Sequence, residues 1–356
     1  MTIAVYGASG HTGKLILSDL RRRGVSPVLV GRDADRLRAA AAESGLPDAA
    51  IRVAPLDDRA LADAFRDVDV VINAVAPFVE FGEPVLRAAI TAGAHYVDIS
   101  GEQAHVRRVF DAYAEPARQA GVTVVPMVND GGFLGDLISS LTAARVERPE
   151  QVTLAHRITG GTGISRGSGR TAAANADAFA SGGEIYTRGG WRTETPARTT
   201  KVTFPGDARP SEVVKFALTE VITVPRHVPA DHVEGVADTE IATLFVNITP
   251  ELAEALPEFP QDDPDNPDRF LVLADITGSG GAARGYVEGT NTYRFTAIAA
   301  AEAAVRLATD GAESGVLAPS QAFDPSRILE SLAPHGISWS VQPIARSRSN
   351  GHQKTD

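Results

Sequence analysis

Cysteine is absent from the chain of 356 residues, and that one absence removes disulfides, thiolate zinc sites and a cysteine nucleophile. Lysine is scarce, confined to Lys14, Lys201, Lys215 and Lys354, which disfavours Schiff-base chemistry. No HExxH pair is present. His227 and His232, near Asp231 and Glu234, are too loosely spaced for a metal site and read as exposed loop residues, so no metal is expected. An excess of positive charge is also missing. The net charge is −11 with no basic run to offset it, which argues against a nucleic-acid partner. No apolar run approaches the ~20 residues of a membrane-spanning helix. The chain enters its first strand by Ile3 without the basic stretch of a signal peptide. A cytoplasmic protein with no membrane partner is the expectation.

What is present begins at the N-terminus. Thr2 to Tyr6 reads as a short apolar strand, Gly7-Ala8-Ser9-Gly10-His11-Thr12-Gly13 as a glycine turn, and Lys14 to Arg23 as a helix. Such a unit cradles a pyrophosphate. Gly7 permits the tight turn, Gly10 lets the anion approach the backbone, and Gly13 allows close helix–strand packing. The free N–H groups and positive dipole end of the helix then face the anion. The spacing is GxxGxxG, which short-chain reductases share. Their Tyr-x-x-x-Lys pair is absent here, so that chemistry is excluded.

Short apolar strands then alternate with helices: Ser26–Gly31, Asp33–Ser44 capped by Asp33, Ile51–Ala54, Asp57–Arg66, Val68–Val75, Glu83–Ala92, His95–Ile99, Glu102–Ala120 and Val122–Pro126. Six strands before residue 127 predict a complete, doubly wound parallel sheet of the Rossmann type. Phe133–Arg145 reads as a bridging helix. Strands are expected at Gln151–Ile158, Thr200–Phe204, Thr239–Ile248, Phe270–Thr277 and Ala283–Glu288, a helix at Thr292–Thr309, another at Asp324–Leu332, and a last strand at Gly336–Gln342. The boundaries drawn are a nucleotide-binding domain over 1–130, a substrate domain over 131–290, C-terminal helices over 291–344 packing back on the first domain, and a disordered polar tail over 345–356.

The second strand ends Val30-Gly31-Arg32-Asp33, where NAD sites usually place an acid. Arg32 there predicts pairing with a 2′-phosphate and hence NADP(H), with Arg36 one turn on as a second contact. A solvated Arg32 is the alternative. In an open α/β sheet, ligands bind beyond the carboxyl ends of the strands, so the loops at Val75–Glu80, Ser100–Glu102 and Val128–Phe133 should converge on the reacting centre. Asp130, Glu102 and Tyr186 are candidate proton donors, beside a substrate hydroxyl or water. Glu102 can instead cap the helix it opens, and Tyr186 can be core. In Gly163–Thr171 (GISRGSGRT), Arg166 and Arg170 can hold an anionic substrate group, with a helix starting near Thr171; a flexible crossover with solvated arginines is the alternative. Phe78 and Asn129 complete the candidate substrate contacts.

The opening VYGASGHTG with LVGRDADRL, the run VDVVINAVAPFVEFGEPVLRAAITAGAHYVDISGE, the segments VTVVPMVNDGGFLGDL and ISRGSGRT, and YRFTAIAAAEAAVRLA with GVLAPSQAF together resemble the saccharopine dehydrogenase-like family of NADP-dependent reductases. The likeness is greatest to its stand-alone and trans-acting enoyl reductase branch. It implies a nucleotide-binding domain, a mixed α/β substrate domain and final helices returning to the first. It also implies cofactor contacts from Gly7, Ser9, Gly10, His11, Thr12 and Gly13, from Gly31 and Arg32, from Asn73, Val75, Ala76 and Pro77, and from Ser100. Where relatives read about Gly-Phe-Asp before the bridging helix, this chain has Asn129-Asp130-Gly131-Gly132-Phe133, while Asp136 matches. Two functions follow as expectations: NADPH-dependent reduction of a C=N or conjugated C=C bond in a small molecule, or a non-catalytic NADP-binding sensor or scaffold. A homodimer is left open.

Overall fold

A computed structural model describes residues 1–161, 163–193, 197–261 and 267–344. The segment expected to be a disordered tail therefore lies outside the described residues. Through the first third, strands and helices alternate as β1 (Ile3–Tyr6), α1 (His11–Arg22), β2 (Val28–Gly31), α2 (Ala34–Glu43), β3 (Ile51–Val53), α3 (Asp58–Ala64), β4 (Val70–Asn73), α4 (Phe78–Ala92), β5 (His95–Asp98), α5 (Gln103–Ala120) and β6 (Thr123–Val125). Helix α6 (Gly132–Ala143) leads into β7 (Pro149–Thr159), α7 (Arg166–Ala174), α8 (Ala176–Ser181), β8 (Glu184–Thr187), β9 (Gly190–Thr193), β10 (Thr199–Val202), β11 (Ser211–Lys215), α9 (Glu220–Thr223) and β12 (His232–Asp238). The remainder is α10 (Thr239–Val246), α11 (Pro250–Ala255), β13 (Arg269–Gly278), β14 (Gly281–Thr290), α12 (Thr292–Thr309), β15 (Gly315–Val316), α13 (Pro319–Ala322), α14 (Pro325–Leu332) and β16 (Ser338–Pro343).

The first sheet has seven parallel strands in the order β15-β6-β5-β4-β1-β2-β3. Its strands are buried on both faces, which is why they read as continuous apolar runs. Ile3 and Val5 face one layer with Leu17 and Leu37, while Ala4 and Tyr6 face the other with Leu61, Leu86 and Val109. The second sheet is mixed, with the order β10-β11-β12-β7-β13-β14-β16 and the β8–β9 hairpin attached to β12. Only β7 and β12 run parallel in it. Bridging helix α6 packs on this sheet so closely that a Cβ on Gly285 would lie 1.9 Å from Thr142 Oγ1.

The alanine-rich helix α12 lies between the two sheets. Small side chains bring its backbone against α1, β4 and β5, and Phe295 meets Phe270 of β13 at 5.3 Å between ring centroids. After α12 the chain serves both sheets: β15 extends the first, and β16 pairs with β14 at the edge of the second. Helix α12 thus packs on the nucleotide-binding sheet, whereas the final strand joins the second sheet.

Two expected elements need correction. Thr239–Ile248 is not a strand, because the sheet position is filled by the preceding β12. Asp238 then caps a helix by accepting from Glu240 N at 2.9 Å, and Phe245 packs on Phe179 and Phe216. Tertiary packing overrides a weak β-branched preference there. Helix α4 begins at Phe78 rather than Glu83, and its early turns receive a carboxylate from elsewhere in the fold.

Candidate active site

The glycine turn has the shape of an anion cradle. Gly7 sits at φ +86°, and a Cβ on it would come within 2.7 Å of Val75 Cγ2, so the β1 turn and the loop after β4 touch. Gly13 is closed in, with a hypothetical Cβ 2.2 Å from Gly7 O. Gly10 is more open, its Cβ meeting only Gly7 O at 3.3 Å. Helix α1 starts at His11 without a side-chain cap or an acid in its first turn, whereas α2 is capped by Asp33 and α3 by Asp57. No side chain competes for this helix N-terminus, and the residues present fit a dinucleotide pyrophosphate.

Beyond β4, β5 and β6 a buried polar network fixes the loops. Asp98 accepts at Oδ1 from Ser100 N (3.0 Å), Ser100 Oγ (2.6 Å) and Met127 N (2.9 Å). Its Oδ2 takes Tyr96 OH at 3.1 Å and meets His105 Nε2 at 2.9 Å. Burial opposes ionisation of Asp98, but His105 and the converging donors hold its carboxyl below the usual range. Asn73 joins by donating to Tyr96 OH (3.0 Å) and accepting from Val75 N (3.1 Å). The side chains of Asn73 and Ser100 are thus turned inward, shaping the Val75–Ala76–Pro77 turn and its neighbour.

Asn129 staples two of these loops. Its amide donates to Ser100 O at 2.7 Å, and its Oδ1 accepts from Gly131 N and Gly132 N, opening α6. Asp130 follows. The Thr296 hydroxyl of α12 donates to Asp130 Oδ1 (3.0 Å) and accepts from Asp130 N (3.1 Å). Burial pushes the Asp130 carboxyl up to about 6, against the pull of Thr296 and the charge of His156. His156, on β7, lies against Gly131, and Glu220 of α9 stands 2.5 Å from its Nε2 as an ion pair outside hydrogen-bond geometry. Burial disfavours the imidazolium, yet Glu220 and then Asp130 raise the His156 pKa. Sequence reasoning missed His156, Glu220 and Thr296, for each lies far along the chain from Asp130, and Thr296, though inside the run YRFTAIAAAEAAVRLA, carries no sign there of meeting it.

Other candidates have different roles. Glu102 is buried and does not cap α5, the helix it opens. Its two oxygens accept from Phe78 N (2.7 Å) and Val79 N (2.8 Å) at the start of α4, and Thr171 Oγ1 of α7 adds a bond at 3.1 Å. Phe78 is buried beside His105. Tyr186 stands edge-on to Trp191 at 5.0 Å on the β8–β9 hairpin, as a packing residue. Helix α7 begins at Arg166, capped by Ser165, and not near Thr171. Both of its arginines have partners within the chain. Arg166 donates to Leu256 O at 3.1 Å, and Arg170 pairs with both oxygens of Glu254 at 2.6 and 2.8 Å. Both arginines turn to α11 and the segment after it, while Ser165 and Ser168 turn to Tyr293 of α12.

His227 and His232 are not exposed loop residues. His232 lies in β12, and His227 is largely buried with Nε2 2.9 Å from Asp136 Oδ2 and 3.0 Å from Ser320 Oγ. Ser320 also donates to Asp136 Oδ1 from N and Oγ at 2.8 and 2.6 Å. Serine and aspartate meet the same imidazole nitrogen, so no relay of a hydrolase triad exists. This node ties α6 to α13.

Residues 3–125 match the family model described as the saccharopine dehydrogenase NADP binding domain. This part of the chain is similar to that domain. Its cofactor is NADP(H). A lipid droplet localized protein of Caenorhabditis elegans is 38% identical over 134 residues, covering 35% of this chain and 32% of the relative. A trans-acting enoyl reductase of Mycobacterium tuberculosis is 32% identical over 129 residues, covering 35% and 31%. The match thus spans about a third of each curated relative. Both sheets share the fold of apo saccharopine dehydrogenase (L-Glu forming) from Saccharomyces cerevisiae, with a TM-score of 0.66 at 14% identity, covering 97% of this chain and 100% of the other. Among the described residues no helix is long and apolar enough to cross a membrane.

Proposed function

We propose that the chain is an NADPH-dependent oxidoreductase that reduces a C=N or conjugated C=C bond of a small molecule. The observation that carries this reading is the protonatable Asp130. It is held by Thr296 beside the His156–Glu220 pair, at the carboxyl end of an NADP-binding sheet. NADPH supplies the hydride when bound. What the protein must add is position, exclusion of water and a proton for the atom left electron-rich. A carboxyl with a pKa of about 6 holds a proton over a useful fraction of molecules near neutrality and returns to carboxylate without great cost. The charge on His156 favours that carboxylate once the proton has left. The enoyl reductase relative supports the C=C form of the reaction, and the saccharopine dehydrogenase fold agrees with either form.

Kinetics with a panel of cyclic imines and conjugated enoyl thioesters test the assignment. Asp130→Asn should lower turnover about a hundredfold or more on an accepted compound while leaving NADPH affinity unchanged. It should also remove the pH dependence near 6. NADPH binding without turnover on any compound would instead favour the sensor reading.

A further inference from the structure

At the adenosine end of the cleft lies a contact that reduction does not use. Arg36, one turn beyond Arg32 in α2, is ion-paired with Glu258, which follows α11 in the second half of the chain. The same carboxylate stands 3.9 Å from Arg166 Nη1. The segment is anchored on that side, since Arg166 N donates to Pro257 O at 2.8 Å and Arg166 Nε to Leu256 O at 3.1 Å. On the other side Phe259 places its ring 4.1 Å from Lys14 Nζ and 6.2 Å from the His11 ring. Residues 256–259 thus form a strap from α7 and α11 to the pyrophosphate turn and α2.

The strap meets the place where a 2′-phosphate is expected. Arg32 is exposed at the end of β2 with no ion pair among the described residues, and Arg36 is its neighbour on the helix. Arg36 is half exposed, at 51%, and Glu258 is 33% exposed, so their pair is exchangeable with solvent and worth little. A phosphate monoester carries about twice the charge of a carboxylate and pairs with a guanidinium through two parallel bonds.

We propose that Glu258 is a built-in stand-in for the 2′-phosphate, which NADP(H) displaces from Arg36 on binding and which NAD(H) leaves in place. This rests on the reading of the β2 end as the 2′-phosphate site. Glu258 then lowers the affinity for NADP(H) alone. Its release detaches the strap from α2, while Arg166 keeps the carboxylate partnered. Glu258 is therefore a specificity-determining residue that never touches the reacting atoms.

Calorimetric titration of the full chain with NADPH and with NADH tests the proposal. Glu258→Gln should tighten NADPH binding by roughly two- to fivefold at low salt, leave NADH unchanged, and lose its effect as salt rises. Glu254→Gln, which removes the exposed partner of Arg170, should change neither cofactor. Weaker NADPH binding in Glu258→Gln would mean that the carboxylate orients Arg36, and unchanged binding that it does not compete. Either result overturns the proposal. Arg32→Ala and Arg36→Ala separate this from the underlying reading. Loss of NADPH affinity in Arg32→Ala alone keeps the 2′-phosphate at β2 but removes Arg36 from it, and loss in neither moves the phosphate elsewhere.

Discussion

At Gly10 a side chain is tolerated by the protein and not by the ligand, since its Cβ meets only Gly7 O at 3.3 Å. Gly10→Val should therefore retain cooperative unfolding and lose NADPH binding in titration. Gly13 differs, because a Cβ 2.2 Å from Gly7 O must push the backbone apart, and Gly13→Ala should lose stability as well. NADPH bound normally by Gly10→Val would remove the turn from the cofactor site. Asp130 is the other decisive residue. Its folded pKa is raised to about 6, so folding favours its protonated form. The associated stability is present below the unfolded carboxyl pKa and is lost as pH rises through about 6. Activity that needs the proton should fall over the same rise. Asp130 was legible in the sequence by its place after β6, whereas its neighbours were not. A carboxylate's surroundings come from α12, β7 and α9, and no local pattern announces that Thr296, His156 and Glu220 will meet it.

At the scale of elements, Glu102 ties the loop after β5 to the start of α4 and to α7. Replacing it with Gln turns an amide N–H₂ toward a backbone donor. The variant should lose about 1–3 kcal/mol of stability in urea unfolding and keep most of its turnover per folded molecule. Unchanged stability with lost turnover would make Glu102 the proton donor instead. The alternation of strand and helix through β6 was readable because parallel strands buried on both faces are uninterrupted apolar runs. Helix α12 was readable from its alanines. The second sheet was harder. Strand β12 (HVEGVAD) carries Glu234 and Gly235 in the middle of the sheet, where a strand pattern would demand apolar residues, and α10 carries the β-branched residues a strand would want. The partners of the α7 arginines were hidden for a related reason: Glu254 and the Leu256 carbonyl lie more than eighty residues on.

At the scale of the molecule, two sheets meet across α6 and α12, and Asp130 sits where the loop entering α6 touches α12. The nucleotide-binding sheet supplies the glycine turn, and the second sheet supplies His156 on β7. In the proposed reaction this junction performs hydride transfer with a proton from Asp130. Deuterium transfer from NADPH carrying deuterium at both nicotinamide C4 positions to imines and conjugated enoyl compounds tests it most directly. One deuterium is expected in the reduced product per NADPH consumed, with the yield over a fixed time greatly reduced in Asp130→Asn. NADPH bound by the wild-type chain with no deuterium in any product would contradict it.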